Sequence, residues 1–348
     1  MRFKSIICIF IFLLLLPAIV LAAEYTEGSI KLVLHEENGR FTLYSMNDQR
    51  RPAALFADQD PRTSFLSVII NDRSYKMGDT SAFRTRTGGD EQNPSLVFAS
   101  SFMRVTEEFS FIKSANQAVP NGIRITITLE NRGDRQISSG ARFLLDTYLG
   151  EGSPPIQFTT DRRTISSETL ITGADRDRFW TDKNETVALT GSINTGTTED
   201  PDSVHFANWK KLNDASWKAV YQEGRNFNFP PFSMGDTAIC YYFEPRPLSR
   251  GEKRSFGFNL FLNDPAMGED AFVSSPKASP AVVAELIKDL PDPSATDSRE
   301  QDLAAIRELI SRIETSIASG TATEEELAAF ELALNKFRAK YGSGSNLR

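Results

Sequence analysis

The chain has 348 residues, with 46 acidic against 39 basic side chains and a formal net charge of −7 at pH 7. That balance excludes nucleic acid and anionic lipid as favoured partners. Of the two cysteines, Cys8 lies in an apolar leader, so Cys240 has no intramolecular partner and no disulfide framework can carry the fold.

Arg2 and Lys4 precede an apolar run from Ile6 to Ala23 that ends in the small residues Val20-Leu21-Ala22-Ala23. A positive start, an apolar middle and a small-residue exit describe a signal peptide over residues 1–23, cut after Ala22 or Ala23. The run is also about long enough to span a bilayer as a retained anchor, but Pro17 and the Ala-Ala exit argue for cleavage. The expected location is periplasmic or secreted, with no membrane-spanning segment after cleavage.

Residues 24–263 carry β signals almost throughout. In "GIRITITLEN", Ile123, Ile125, Ile127 and Leu129 alternate with polar residues, the period of a half-buried antiparallel strand. "SIKLVLHEENGRFTLYSM" places Asn38-Gly39 between two short strands, a strong hairpin signal, and "FLSVIINDRSYKM" repeats it around Asn71-Asp72. Further strands are expected in "SLVFASSFMRVTEEFSFI", "ISSGARFLLDTYL", "ETVALTGSI", "SVHFANWK", "DTAICYYFE" and "KRSFGFNLFL". Many antiparallel strands with no interrupting helix predict a mainly β chain, a large antiparallel sandwich.

Residues 264–297 form a Pro/Ser-rich linker with a short helical piece at Ala281–Leu290. Residues 298–341 change period: Leu303, Ile306, Ile310, Ile313 and Ile317 step by three and four, as do Leu327, Phe330, Leu334, Phe337 and Tyr341. Gly320 can close the first helix and Thr323 with Glu326 can open the second, which makes an α-helical hairpin of coiled-coil character. Residues 342–348 read as a disordered tail. Ile306, Ile310, Ile313, Phe330, Leu334 and Phe337 are the expected association residues, facing the β domain, a second copy or another extracytoplasmic protein.

Chemistry has few carriers. His35 ends a strand beside Glu36-Glu37, a solvated turn setting. His205 follows Asp200 and Asp202, three possible metal ligands that turn formation also explains. HExxH, paired-cysteine, P-loop, EF-hand, GxGxxG and GxSxG patterns are absent from the sequence. No metal and no cofactor is expected. Glu107 and Glu108 are adjacent in a strand and point to opposite faces, so they cannot converge. Asp146 and Glu151, in "RFLLDTYLGEG", cross a strand end and a turn, which leaves their separation open. They are read as structural residues first, ligand contacts second and an acid/base pair last. Trp180 in "DRFWTDKNE" has charged neighbours and offers a ring for a sugar or a partner if exposed, or a core side chain if not.

The run "FSFIKSANQAVPNGIRITITLENRGDRQISSGARFLLDTYLGE" and the hairpin "YYFEPRPLSRGEKRSFGFNLFL" resemble the supersandwich domains of galactose-mutarotase-like carbohydrate-processing proteins. The resemblance covers about residues 28 to 263 and implies fold. It does not imply the activity, because mutarotases depend on histidines with a glutamate and neither His35 nor His205 has a matching context. The overall layout is also similar to that of uncharacterised secreted proteins of spirochaetes. The expectation is therefore a non-catalytic extracytoplasmic binding or assembly protein. Carbohydrate binding is the alternative, followed by a carboxylate-dependent glycan-processing enzyme.

Overall fold

The computed structural model describes residues 22–47, 49–56, 62–114, 117–147, 149–151, 156–173, 176–194, 199–263 and 307. Residues 1–21 of the expected signal peptide, the expected linker and tail and, apart from Arg307, the expected helical hairpin lie outside the described residues. No helix among them is long and apolar enough to cross a membrane.

The described chain is antiparallel β throughout, with one short helix. In order the strands are β1 (Ala23–Glu27), β2 (Ile30–His35), β3 (Arg40–Met46), β4 (Pro52–Ala54), β5 (Phe65–Ile70), β6 (Arg73–Lys76), β7 (Arg84–Gly89), β8 (Pro94–Ala99), β9 (Met103–Ile112), β10 (Gly122–Asn131) and β11 (Ile137–Leu145). There follow β12 (Phe158–Thr160), β13 (Thr164–Ile165), β14 (Thr169–Thr172), β15 (Phe179–Lys183), β16 (Ala188–Ser192), β17 (Ser203–Asn208), the helix α1 (Trp209–Asp214), β18 (Thr237–Leu248) and β19 (Lys253–Asn263).

The strands form three sheets. A four-stranded sheet runs β1-β2-β3-β4, a nine-stranded sheet β13-β12-β15-β16-β19-β10-β9-β8-β7, and a six-stranded sheet β14-β17-β18-β11-β5-β6. The two turn signals read from the sequence take the backbone they demand: Gly39 has φ 62°, Asn71 46° and Asp72 67°, left-handed values suited to tight hairpins. The alternation in β10 buries Ile123, Ile125, Ile127 and Leu129 completely.

The apolar faces of the two larger sheets meet in one core. Tyr241 of β18 stacks on Phe258 of β19 with ring centroids 4.4 Å apart, and Phe243 stacks on Phe256 at 4.2 Å. Phe41 of the small sheet meets Phe109 of β9 edge-on at 4.8 Å, which ties that sheet to the same core. Cys240 is buried on the opposite face of β18, with Phe65, Leu144, Leu212 and Tyr242. Burial pushes its thiol up to about 11, the state of a small apolar side chain rather than a nucleophile.

That outer face of the six-stranded sheet is covered by α1 and the excursion leading to β18. Arg142 of β11 is buried there and donates from Nη1 to the carbonyls of Leu212 at 3.1 Å and Trp217 at 2.7 Å. Asn208 caps α1, its Oδ1 accepting from the Lys211 amide at 3.3 Å.

Candidate carboxylate site

β11 runs into Asp146, the next turn brings Glu151, and Asp236 stands immediately before β18. Because β11 and β18 pair directly, with Leu145 opposite Ile239, these ends coincide. Carboxylate oxygens of Asp146, Glu151 and Asp236 all lie within 4.8 Å of one another. The sequence left the separation of Asp146 and Glu151 open; the structure closes it and adds Asp236, which no local pattern marks.

Hydrogen bonds fix the chain around each of these acids. The Asp146 amide donates to Ser64 Oγ at 2.9 Å. Glu151 Oε1 accepts from the Thr237 amide at 2.6 Å and the Thr237 hydroxyl at 3.3 Å. The Asp236 carbonyl accepts from the Trp209 amide at 3.1 Å and from Asn208 Nδ2 at 2.9 Å.

A fourth acid comes from the facing sheet. Asp182 of β15 is buried, and its Oδ1 would lie 2.8 Å from a Cβ on Gly150, the residue before Glu151. Only a glycine leaves room for that approach. The Thr147 hydroxyl and the Lys183 and Gly150 amides pull against the burial of the Asp182 carboxyl, while the atoms Asp182 Oδ2 and Thr147 Oγ1 keep no hydrogen bond of good geometry among the described residues.

Burial pushes the Asp182 carboxyl up to about 7, and the neighbouring Glu151 charge adds to the shift. Burial also raises Glu151, with the Thr237 amide pulling against it and the Asp236 charge reinforcing it. Asp236 is raised chiefly by burial. Among the described residues no lysine or arginine forms an ion pair with Glu151, Asp182 or Asp236. Crowded acids of this kind can accept hydrogen bonds from hydroxyls or hold a cation.

The other sequence candidates fall elsewhere. Trp180 is fully buried and donates from Nε1 to the Tyr241 hydroxyl at 2.6 Å. Of the two readings of Trp180 the core side chain is the one found, and the ligand-contact reading is corrected: Lys183 is exposed, while Asp182, two residues on, shares the inward phase of Trp180 along β15. His205 is buried on β17 and pairs with Glu168 at 3.0 Å, which also binds Lys211 Nζ at 2.7 Å. Asp202 instead receives the Glu244 amide and Arg246, and Asp200 pairs with Arg176. His35 bonds Thr42 at 3.1 Å. Glu107 is buried while Glu108 is exposed, as strand alternation requires.

Apart from Val119, the exposed large apolar side chains among the described residues lie in the excursion leading to Asp236. Phe232 is 65% and Met234 68% exposed, with Val220 and Tyr221 also on the surface. Lys210 Nζ sits 5.1 Å from the centre of the Phe232 ring.

No protein-family model matches the chain, and no curated protein matches it. Among solved structures it is similar to a galactose mutarotase related enzyme from Lactobacillus acidophilus, with a TM-score of 0.41 at 8% identity over 70% of this chain and 98% of that one. A galactose mutarotase-like protein from Lactobacillus casei ATCC 334 gives 0.41 at 8% over 70% of this chain and 100% of that one. A polysaccharide lyase gives 0.41 at 10%, over 72% of this chain but 34% of its own length. These likenesses are to galactose-mutarotase-like, carbohydrate-related folds and concern fold alone. The expectation of a non-catalytic protein is nonetheless corrected. Structures it is similar to include an enzyme by name, and the lack of a recognisable catalytic constellation in the sequence, on which that expectation rested, does not exclude carboxylate chemistry.

Proposed function

We propose that the protein is carbohydrate-active and takes a glycan at the acidic end of the sandwich. The observation that carries this reading is the placement, in one excursion, of the exposed Phe232 and the carboxylate of Asp236. Carboxylate oxygens accept strong hydrogen bonds from hydroxyls, and an aromatic face stacks on the C–H face of a sugar ring. The acidity of the site favours neutral over acidic sugars.

Calorimetric titration with a panel of neutral oligosaccharides tests it, followed by chromatography of the bound sugar to detect turnover. Phe232→Ala should weaken binding about tenfold, the loss of one stacking contact, with an unchanged melting temperature because the ring is exposed. Wild-type protein that binds no member of the panel would refute the reading.

An extracytoplasmic location is part of the same proposal, supported by the leader pattern of residues 1–23. Association through residues 298–341 is a further part, supported by the two apolar stripes.

A further inference from the structure

We infer that Asp146, Glu151 and Asp236, backed by Asp182, form a binding site for a hard divalent cation of the calcium class. This goes beyond the glycan reading and stands without it. The donor set consists only of oxygens, which suits calcium, magnesium or manganese and does not suit zinc or copper.

The spacing agrees. Ligand oxygens about 2.3–2.6 Å from a calcium ion can be no more than about 5 Å apart, and the three carboxylates keep within 4.8 Å. Their carriers are fixed in advance: Glu151 by the Thr237 amide, and Asp236 through its carbonyl by Trp209 and Asn208.

A separate observation points to a ligand at this place. Asp182 comes from the opposite sheet, is 2% exposed, lies against Gly150, and keeps Oδ2 without a hydrogen-bond partner among the described residues. Thr147 Oγ1, fully buried next to Asp146, is in the same condition. Buried oxygens without donors are costly, and a cation held at Glu151 supplies positive charge beside the buried Asp182. Among the described residues no lysine or arginine pairs with Glu151, Asp182 or Asp236. Three carboxylates around one divalent ion is a high ligand charge, which favours tight binding.

The full chain, stripped with EDTA and desalted, is titrated with CaCl2 by calorimetry, and its melting temperature is followed with and without about 1 mM calcium, the range of weak extracellular sites. Terbium luminescence gives an independent reading, sensitised by Trp209, whose amide contacts Asp236. Expected are one calcium per chain, a melting temperature higher by several degrees, and sensitised terbium emission displaced by calcium. Glu151→Gln with Asp236→Asn should lose affinity at least tenfold while keeping native circular dichroism; if that pair does not fold, Asp236→Asn alone should show the loss. No calcium or magnesium heat and no thermal shift for wild type would overturn the inference, as would full affinity in a folded variant. Calcium binding without glycan binding would overturn the glycan reading alone.

Discussion

Glu107 sits in the core on β9, 1% exposed, with Oε1 lacking a hydrogen-bond partner among the described residues. Burial pushes its carboxyl up to about 8, from an ordinary 4.5, with Arg40 pulling weakly the other way. Between those two pH values the folded state keeps a proton that the unfolded chain has released, so stability falls as pH rises from about 4.5 to about 8 and levels off above. At pH 7 the two and a half units between the unfolded pKa and the solution correspond to about 3 kcal/mol of lost stability at 1.36 kcal/mol per unit, and to about 5 kcal/mol above pH 8. Glu107→Gln keeps the shape and cannot ionise. Relative to wild type it should be near neutral at pH 4.5 and more stable by about 2–3 kcal/mol at pH 7, since the new amide has its own imperfect hydrogen bonds. Urea midpoints for both proteins at pH 4.5, 7 and 8.5 give the difference directly. A variant equally destabilised at all three values would refute the reasoning, because it would mean an ionised Glu107 held by Arg40.

Arg142→Met removes both hydrogen bonds that hold α1 and Trp217 to the sheet. It should cost about 2–4 kcal/mol in denaturant melts and speed proteolysis between residues 215 and 236; an unchanged midpoint would show that the excursion is held otherwise. Trp180→Phe loses the bond to the Tyr241 hydroxyl and leaves a small void, so a loss of about 1–3 kcal/mol is expected, against none if the indole were a surface ring. Replacing Ile310 and Leu334 with charged residues should abolish self-association or partner capture while strand content stays native. Light scattering with a thermal melt checks it, and a monomeric wild type that retrieves no extracytoplasmic partner would refute it.

The β architecture was legible where the signal is local. Gly39 and the pair Asn71-Asp72 took left-handed backbone at the expected turns, and the period-two run in β10 buried the residues it pointed inward. The site was legible in half. Asp146 and Glu151 share one strand end and drew notice together. Asp236 and Asp182 belong to segments brought there only by the pairing of β11 with β18 and by the packing of one sheet on the other, and no local pattern carries that information. Trp180 and Asp182 sit in a charged stretch that reads as a loop. Their common phase in "FWTDK", two residues apart, was the one available sign that both face inward. Phe232 and Met234 lie between turn residues, where a period cannot be measured.

The last described strand, β19, does not close the nine-stranded sheet at a rim; it lies inside, between β16 and β10. Gly122 of β10 must wait for Phe261, and Ala188 of β16 for Asn263, before either finds its neighbour. Assembly therefore cannot proceed as a zipper from the first hairpin. Contacts so distant along the chain slow folding, and until β19 arrives two strands expose unpaired backbone edges that invite pairing with other molecules. A chain emerging N-terminus first meets this interval every time it is made. Shortening the β region by its final dozen residues should thus be far more damaging than trimming its opening strand: it leaves a gap in the middle of a sheet, where aggregation rather than a smaller folded domain is the natural outcome.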